Sequence, residues 1–85
     1  MTDQEQVTPE PSKPFPEITE RERNIAALMC IGQTGHEIAE FLRISVKTYD
    51  THRRHLLKKL GVRNAVELLR YALARGYVAA PTMTS

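Results

Sequence analysis

Apolar side chains recur at helical spacing in four stretches of the chain, and each stretch is framed by residues that start or stop a helix. Thr19 precedes Glu22 by three residues, Thr34 precedes Glu37, and Asn64 precedes Glu67, so each cap side chain has a glutamate placed to reach back to the cap amide. Ser45 is a fourth cap, without the acid. Gly32, Gly61 and Gly76 each follow a periodic run, where a left-handed terminating residue is expected. The pattern predicts helices over about 20–31, 35–42, 46–60 and 65–75 and no strand, hence an all-α fold. Only Arg43–Ser45 separates the second helix from the third. So short a connection forces the axes to cross sharply, as in a helix-turn-helix. Small Ala39 then falls where the two helices approach most closely, Ile44 plugs the turn, and Tyr49 and Leu56 point back at helix 2. Arg43 stands where such turns often carry glycine.

The 85 residues allow one domain, which at this size buries roughly 60% of the surface of its unfolded chain. Residues 1–16 hold four of the five prolines without hydrophobic periodicity and read as a flexible tail or linker, in preference to an SH3-type ligand. The folded domain is expected over 17–78, with 79–85 a disordered C-terminus. A single cysteine, Cys30, excludes an internal disulfide and is expected as a small buried hydrophobe in helix 1. No charged n-region followed by an apolar run opens the chain, and every apolar run falls far short of the ~20 residues that cross a bilayer. The chain reads as cytoplasmic and not membrane-spanning.

Charge sharpens the picture. The formal net charge is +2, yet residues 1–16 carry −2 and residues 17–85 carry +4. Within "SVKTYDTHRRHLLKKLG" five Lys and Arg stand against one acid, Asp50. At about 100° per residue, with Val46 at zero, Val46, Tyr49, Leu56, Leu57 and Leu60 share one arc that should face the core. Asp50, Arg54, Lys47, Lys58 and Thr51 fall together on the opposite side. Lys47, Thr51, Arg54 and Lys58 line about 16 Å of that side at 1.5 Å per residue. A face that serves only solubility mixes its signs. A basic stripe on the second helix of a helix-turn-helix is instead the arrangement that enters the major groove of DNA, about 12 Å wide.

The run of residues 18–78 resembles the LuxR-type helix-turn-helix, also called the FixJ or NarL-type effector domain. The resemblance rests on "TERE", on the G-x-T-x-x-E-I-A segment, on L-x-I-S-x-x-T, on His52, on "KKLGV" and on "VELLRYA". It implies a four-helix DNA-binding domain of a bacterial transcription regulator. Helix 3 would read the groove and helix 4 would dimerise. The chain would be either a stand-alone short regulator or the effector domain of a longer response regulator. Carried over by position, the resemblance makes Lys47, Thr48, Asp50, Thr51, Arg54 and Lys58 the DNA-facing residues. Many relatives have lysine at position 50, after "T-V", where this chain reads "T-Y-D". Its operator therefore cannot be borrowed from them.

Within that set, Arg54 at mid-stripe suits bidentate contact with guanine. Asp50 either accepts from cytosine N4 or pairs with Arg54, and Thr51 suits a thymine methyl. These three are the base-reading candidates, while Lys47, Thr48 and Lys58 are the phosphate candidates. Helix 4 carries more apolar surface than its own core needs, because Val66 and Leu73 widen the stripe of Ala65, Leu68, Leu69 and Ala72. A homodimer through Val66, Leu69, Arg70 and Leu73, formed free or only on DNA, would set two copies of helix 3 about 34 Å apart on an inverted-repeat operator. RNA polymerase or another regulator is a further candidate partner. His52 and His55 stand three apart and His36 precedes Glu37, but Glu40 stands where the zinc-protease pattern needs its second histidine and no other third ligand is evident, so no metal and no cofactor is expected. No nucleophile, base and orienting group occur together, so no enzyme is expected either. The sigma-factor region 4 helix-turn-helix is a near neighbour. The alternative of another class is a protein-interaction module that keeps this fold and sequesters a regulator.

Overall fold

A computed structural model describes residues 14–78, and residues 1–13 and 79–85 of the expected tails lie outside the described residues. Four helices follow one another: α1 (Glu20–Cys30), α2 (Gly35–Leu42), α3 (Val46–Leu60) and α4 (Ala65–Ala74). The first and last end one residue before the predicted limits, with Ile31 and Arg75 as cap residues. Among the described residues there is no strand.

Local chemistry sets the starts. Thr19 and Thr34 close full capping boxes with Glu22 and Glu37. Asn64 accepts from the Glu67 amide at 2.9 Å, but its predicted box does not close. The Glu67 carboxylate turns instead to the backbone N–H of Arg63 at 2.9 Å and to its guanidinium at 3.1 Å. The amide and the guanidinium of Arg63 together outcompete the single cap amide for the carboxylate.

All four helices end alike. The amide after the left-handed residue reaches back five residues, as in Ile44 N–H to Ala39 O at 3.0 Å and Val62 N–H to Leu57 O at 3.0 Å. Glycine supplies the positive φ after α1, α3 and α4, whereas α2 ends on Arg43 with φ 60°. That conformation crowds a Cβ, so the turn between α2 and α3 holds a small strain.

The core takes one fully buried aliphatic residue from each helix: Ile25, Ile38, Leu56 and Leu68. α1 lies at the centre and packs against each of the other three helices. Ala39 and Tyr49 are buried at the α2–α3 crossing, and Ile44 packs on the core from the turn, as expected. Cys30 is half-buried against the core rather than enclosed, and burial pushes its thiol pKa up.

Two further expectations change. Val46, placed on the core arc, is 42% exposed, because it begins α3 beyond the cover of the eight-residue α2. Phe15, assigned to the tail, is 1% exposed. It packs edge-on against Tyr77 at 4.9 Å between ring centroids and stacks with Tyr71 at 6.4 Å. Arg23 fixes the entry by donating to the carbonyls of Pro14 at 2.8 Å and Ile18 at 3.1 Å. The domain thus begins before residue 17, and the boundary drawn from periodicity missed a lone aromatic outside any helix.

Glu22 is the buried charge of the fold, at 4% exposure. Its carboxylate accepts from Lys59 Nζ at 2.9 Å and from the Thr19 amide at 3.0 Å, tying the start of α1 to the end of α3. Burial would raise its pKa, but the Thr19 amide and Lys59 together hold it below the ordinary 4.5. A depressed carboxylate stabilises the fold above its unfolded pKa and ceases to do so as pH falls through the folded value. Replacing Glu22→Gln should lower stability at pH 7 by about 1–2 kcal/mol. In urea titrations the gap from the parent should close as pH falls below 4.5. A gap unchanged at pH 3 would show that the charge contributes nothing. Arg43→Gly should act in the opposite direction, raising the urea midpoint by about 1 kcal/mol of stability through relief of the left-handed residue.

Candidate nucleic-acid interface

α3 is held by its base and its inner side, which leaves one long side free. Leu56, Leu57 and Leu60 are buried against the core, and Tyr49 is buried near the start of α2. Ser45 caps the helix, its hydroxyl oxygen accepting from the Thr48 amide at 3.0 Å. Lys58 and Lys59 lie in the last turn, where cations complement the helix dipole.

The three base-reading candidates are joined on the free side. Arg54 Nε lies 3.5 Å from Asp50 Oδ2, in a pair whose side chains are both more than half exposed. Arg54 Nη2 also donates to Thr51 Oγ1 at 3.4 Å, and Thr51 Oγ1 donates to the Lys47 carbonyl at 3.2 Å. The three side chains therefore form one linked patch. In it the guanidinium is oriented from two sides while most of it still faces solvent. An exposed pair of this kind adds little stability, at most about 1 kcal/mol, so its consequence is direction.

Lys47 and Lys58 are exposed on the same side, toward opposite ends. Thr48 stands apart on the other edge of the helix. Its hydroxyl oxygen accepts from Ser45 Oγ at 2.9 Å, which leaves its own proton free to donate. Lys59, counted with the basic segment in the sequence, points away from this surface to Glu22 and belongs to the fold.

The four positions proposed for pairing share one side of α4. Val66 is 63% exposed and Leu73 36% exposed, Arg70 is exposed and Leu69 half-buried. Leu68 and Ala72, on the far side, are fully buried. His52 is half-buried, and His36 and His55 are exposed. Among the described residues no group of three or more metal-ligating side chains is gathered, and no helix is long and apolar enough to cross a membrane.

A four-helix domain with this turn, this stripe and these caps can be placed by comparison with known proteins. The family of bacterial regulatory proteins named for luxR matches residues 16–72. The chain belongs to that family. The match begins one residue after Phe15 and ends on Ala72, so it takes in all of α1, α2 and α3 and most of α4.

Several relatives fit the same domain. The transcriptional regulatory protein MctR of Rhizobium johnstonii is 48% identical over 61 residues, covering 72% of this chain and 28% of that protein. The uncharacterized response regulatory protein YgeK of Escherichia coli is 45% identical over 60 residues, 71% of this chain and 41% of that protein. The oxygen regulatory protein NreC of Staphylococcus aureus is 39% identical over 75 residues, 88% of this chain and 35% of that protein. The luxR-family domain seen here thus spans between about a quarter and two-fifths of the length of these relatives. Its kinship is with regulators and not with enzymes.

Proposed function

We propose that this chain is a sequence-specific DNA-binding module of transcription control, which lays α3 in the major groove and pairs through α4 on an inverted repeat. The observation that supports this most is the linked patch of Asp50, Thr51 and Arg54, flanked by exposed Lys47 and Lys58 on the solvent side of α3. Arg54 grips guanine, and Asp50 both aims it and penalises wrong registers, because a carboxylate near phosphates is repelled. Lys47, Lys58 and the free Thr48 proton hold the backbone and set the register without reading sequence. Exposed Val66 and Leu73, with Leu69 and Arg70, supply a small isologous surface that suits pairing on DNA.

A second reading has one observation in its favour. Phe41 is 72% exposed beside an open groove of about 490 Å³ formed with Glu20, Arg21, Asn24, Leu42 and Arg43. That groove is lined by α1, α2 and Arg43, and by no residue of the α3 stripe or the α4 face, and would suit a protein such as RNA polymerase or another regulator.

Selection from a randomised duplex pool, repeated at about 50 and 200 mM salt, tests the main reading. Enrichment of an inverted repeat is expected, with affinity falling by about 10³ or more if six or more phosphates are held across the dimer. Charge reversal at Lys47 and Arg54 should abolish that enrichment. If regulation in cells survives the reversal, the protein-interaction module is the better account. Val66→Asp with Leu73→Asp should leave binding to a single half-site within a factor of about two and remove the cooperative gain on the full repeat. Equal cooperativity in a gel-shift titration would place pairing elsewhere.

A further inference from the structure

Four of the five basic residues of α3 have a role above, and Arg53 has none. On the wheel that sets Val46 at zero it falls near 340°, inside the arc that faces the core, between Tyr49 and Leu57. Accordingly it is half-buried. Among the described residues the ion pairs engage Arg54, Lys59 and Arg63, and no carboxylate pairs with Arg53. Its half-buried stem holds the charge at this edge of the helix without an anion beside it. An arriving anion would supply that partner.

Tyr49, one turn earlier, shows where the anion would come from. Its ring lies over the first residue of α2 so closely that a Cβ at Gly35 would stand 2.8 Å from Cε2, nearer than real contacts allow. Tyr49 is 7% exposed, and burial pushes its hydroxyl pKa up while the adjacent Arg53 guanidinium opposes part of that rise. Four residues apart and near 300° and 340° on the wheel, Tyr49 and Arg53 are neighbours on the α2 side of α3. This edge lies roughly 100° around the helix from Arg54. A helix about 10–12 Å across fills a groove about 12 Å wide, so an edge that far from the groove axis meets the wall and not the bases.

Given the DNA-binding reading, we propose that Arg53 is a further phosphate contact on the α2 side of the recognition helix, that Tyr49 is its positioning residue, and that glycine at position 35 is what admits the Tyr49 ring. The ligand is a backbone phosphate of duplex DNA. The contact is blind to sequence and adds to those of Lys47, Thr48 and Lys58.

Arg53→Met tests this, since it keeps the half-buried stem and removes only the charge. Binding of the full chain is measured on the selected duplex and on a random-sequence duplex across a salt series. Both affinities should fall by about three- to tenfold in equal proportion, and the log–log salt slope should shrink by about one per protomer bound. Arg53→Lys should restore the slope. Tyr49→Phe should weaken both duplexes about two- to threefold, and should add nothing on top of Arg53→Met, as coupled positions require.

Thermal melts accompany each variant, and titrations are run well below the lowest midpoint. The slope then reports phosphates held even where stability has dropped. An unchanged slope and affinity in Arg53→Met overturns the proposal while leaving the DNA reading intact. A fall on the selected duplex alone overturns it in favour of base contact. A parent protein whose binding ignores both sequence and salt overturns the DNA reading, and this proposal with it.

Discussion

Three residues between α2 and α3 must turn the chain sharply and deliver α3 in one rotation. The device is the left-handed Arg43, whose turn is closed by the Ile44 amide on the Ala39 carbonyl at 3.0 Å. Ile44 is then driven onto the core while Ser45 is placed to cap α3. A different rotation of α3 would bury lysines and expose leucines. Rotation and charge display are therefore one constraint, fixed at the turn and reinforced fifteen residues later by the Glu22–Lys59 pair. Strain at Arg43 is tolerated because packing on both sides over-determines the turn. The same bend, made with glycine at the other three helix ends, shows what the arginine replaces.

α3 treats its charges unequally, and position decides each fate. Lys59 faces inward and neutralises a buried acid, Arg54 is aimed by Asp50 and Thr51, and Lys47 and Lys58 remain in water. Counting basic residues along the segment overstates the surface that could meet a polyanion, because one of the five serves the fold. Counting those on the outer stripe alone leaves out Arg53, the further phosphate contact proposed above. The number that matters for salt-dependent binding is the number of cations free to release counterions.

Much of this was legible in the sequence because the governing interactions are local. A cap and its glutamate are three residues apart, and a left-handed stop is a property of one residue, so all four helices could be drawn to within a residue. The misses share one cause, which is that their partners are distant or their setting is not helical. Phe15 lies in no periodic run and is recognised only through Tyr71 and Tyr77. Val46 obeys the wheel and is still exposed, since an arc faces the core only where a partner is long enough to cover it. Glu67 satisfies the capping pattern and bonds Arg63 instead, because the pattern does not include a competing guanidinium one residue before the cap. The linked patch was half visible: spacing allowed Asp50 either role, and the 3.5 Å approach to Arg54 is the one that this structure displays.

The central place of α1 bears on how a pair of such domains would work. α1 packs on both α3 and α4, so the face that would meet DNA and the face that would meet a second copy are related through α1. Its first turn is locked to the end of α3 by a charged pair with a buried carboxylate, and Arg23 and Phe15 lock the preceding chain to the same turn and to α4. Charge-assisted hydrogen bonds and a filled aromatic contact are stiff compared with side chains sliding on one another. With rigid arms, the half-site spacing of a pair formed as proposed would be set by geometry, and a small patch on α4 would suffice if DNA supplied most of the energy of assembly. If α4 pairs as proposed, its small exposed apolar surface and the firm internal ties of α1 would be two parts of one arrangement: pairing set by geometry when DNA brings two copies together, and slight when it does not.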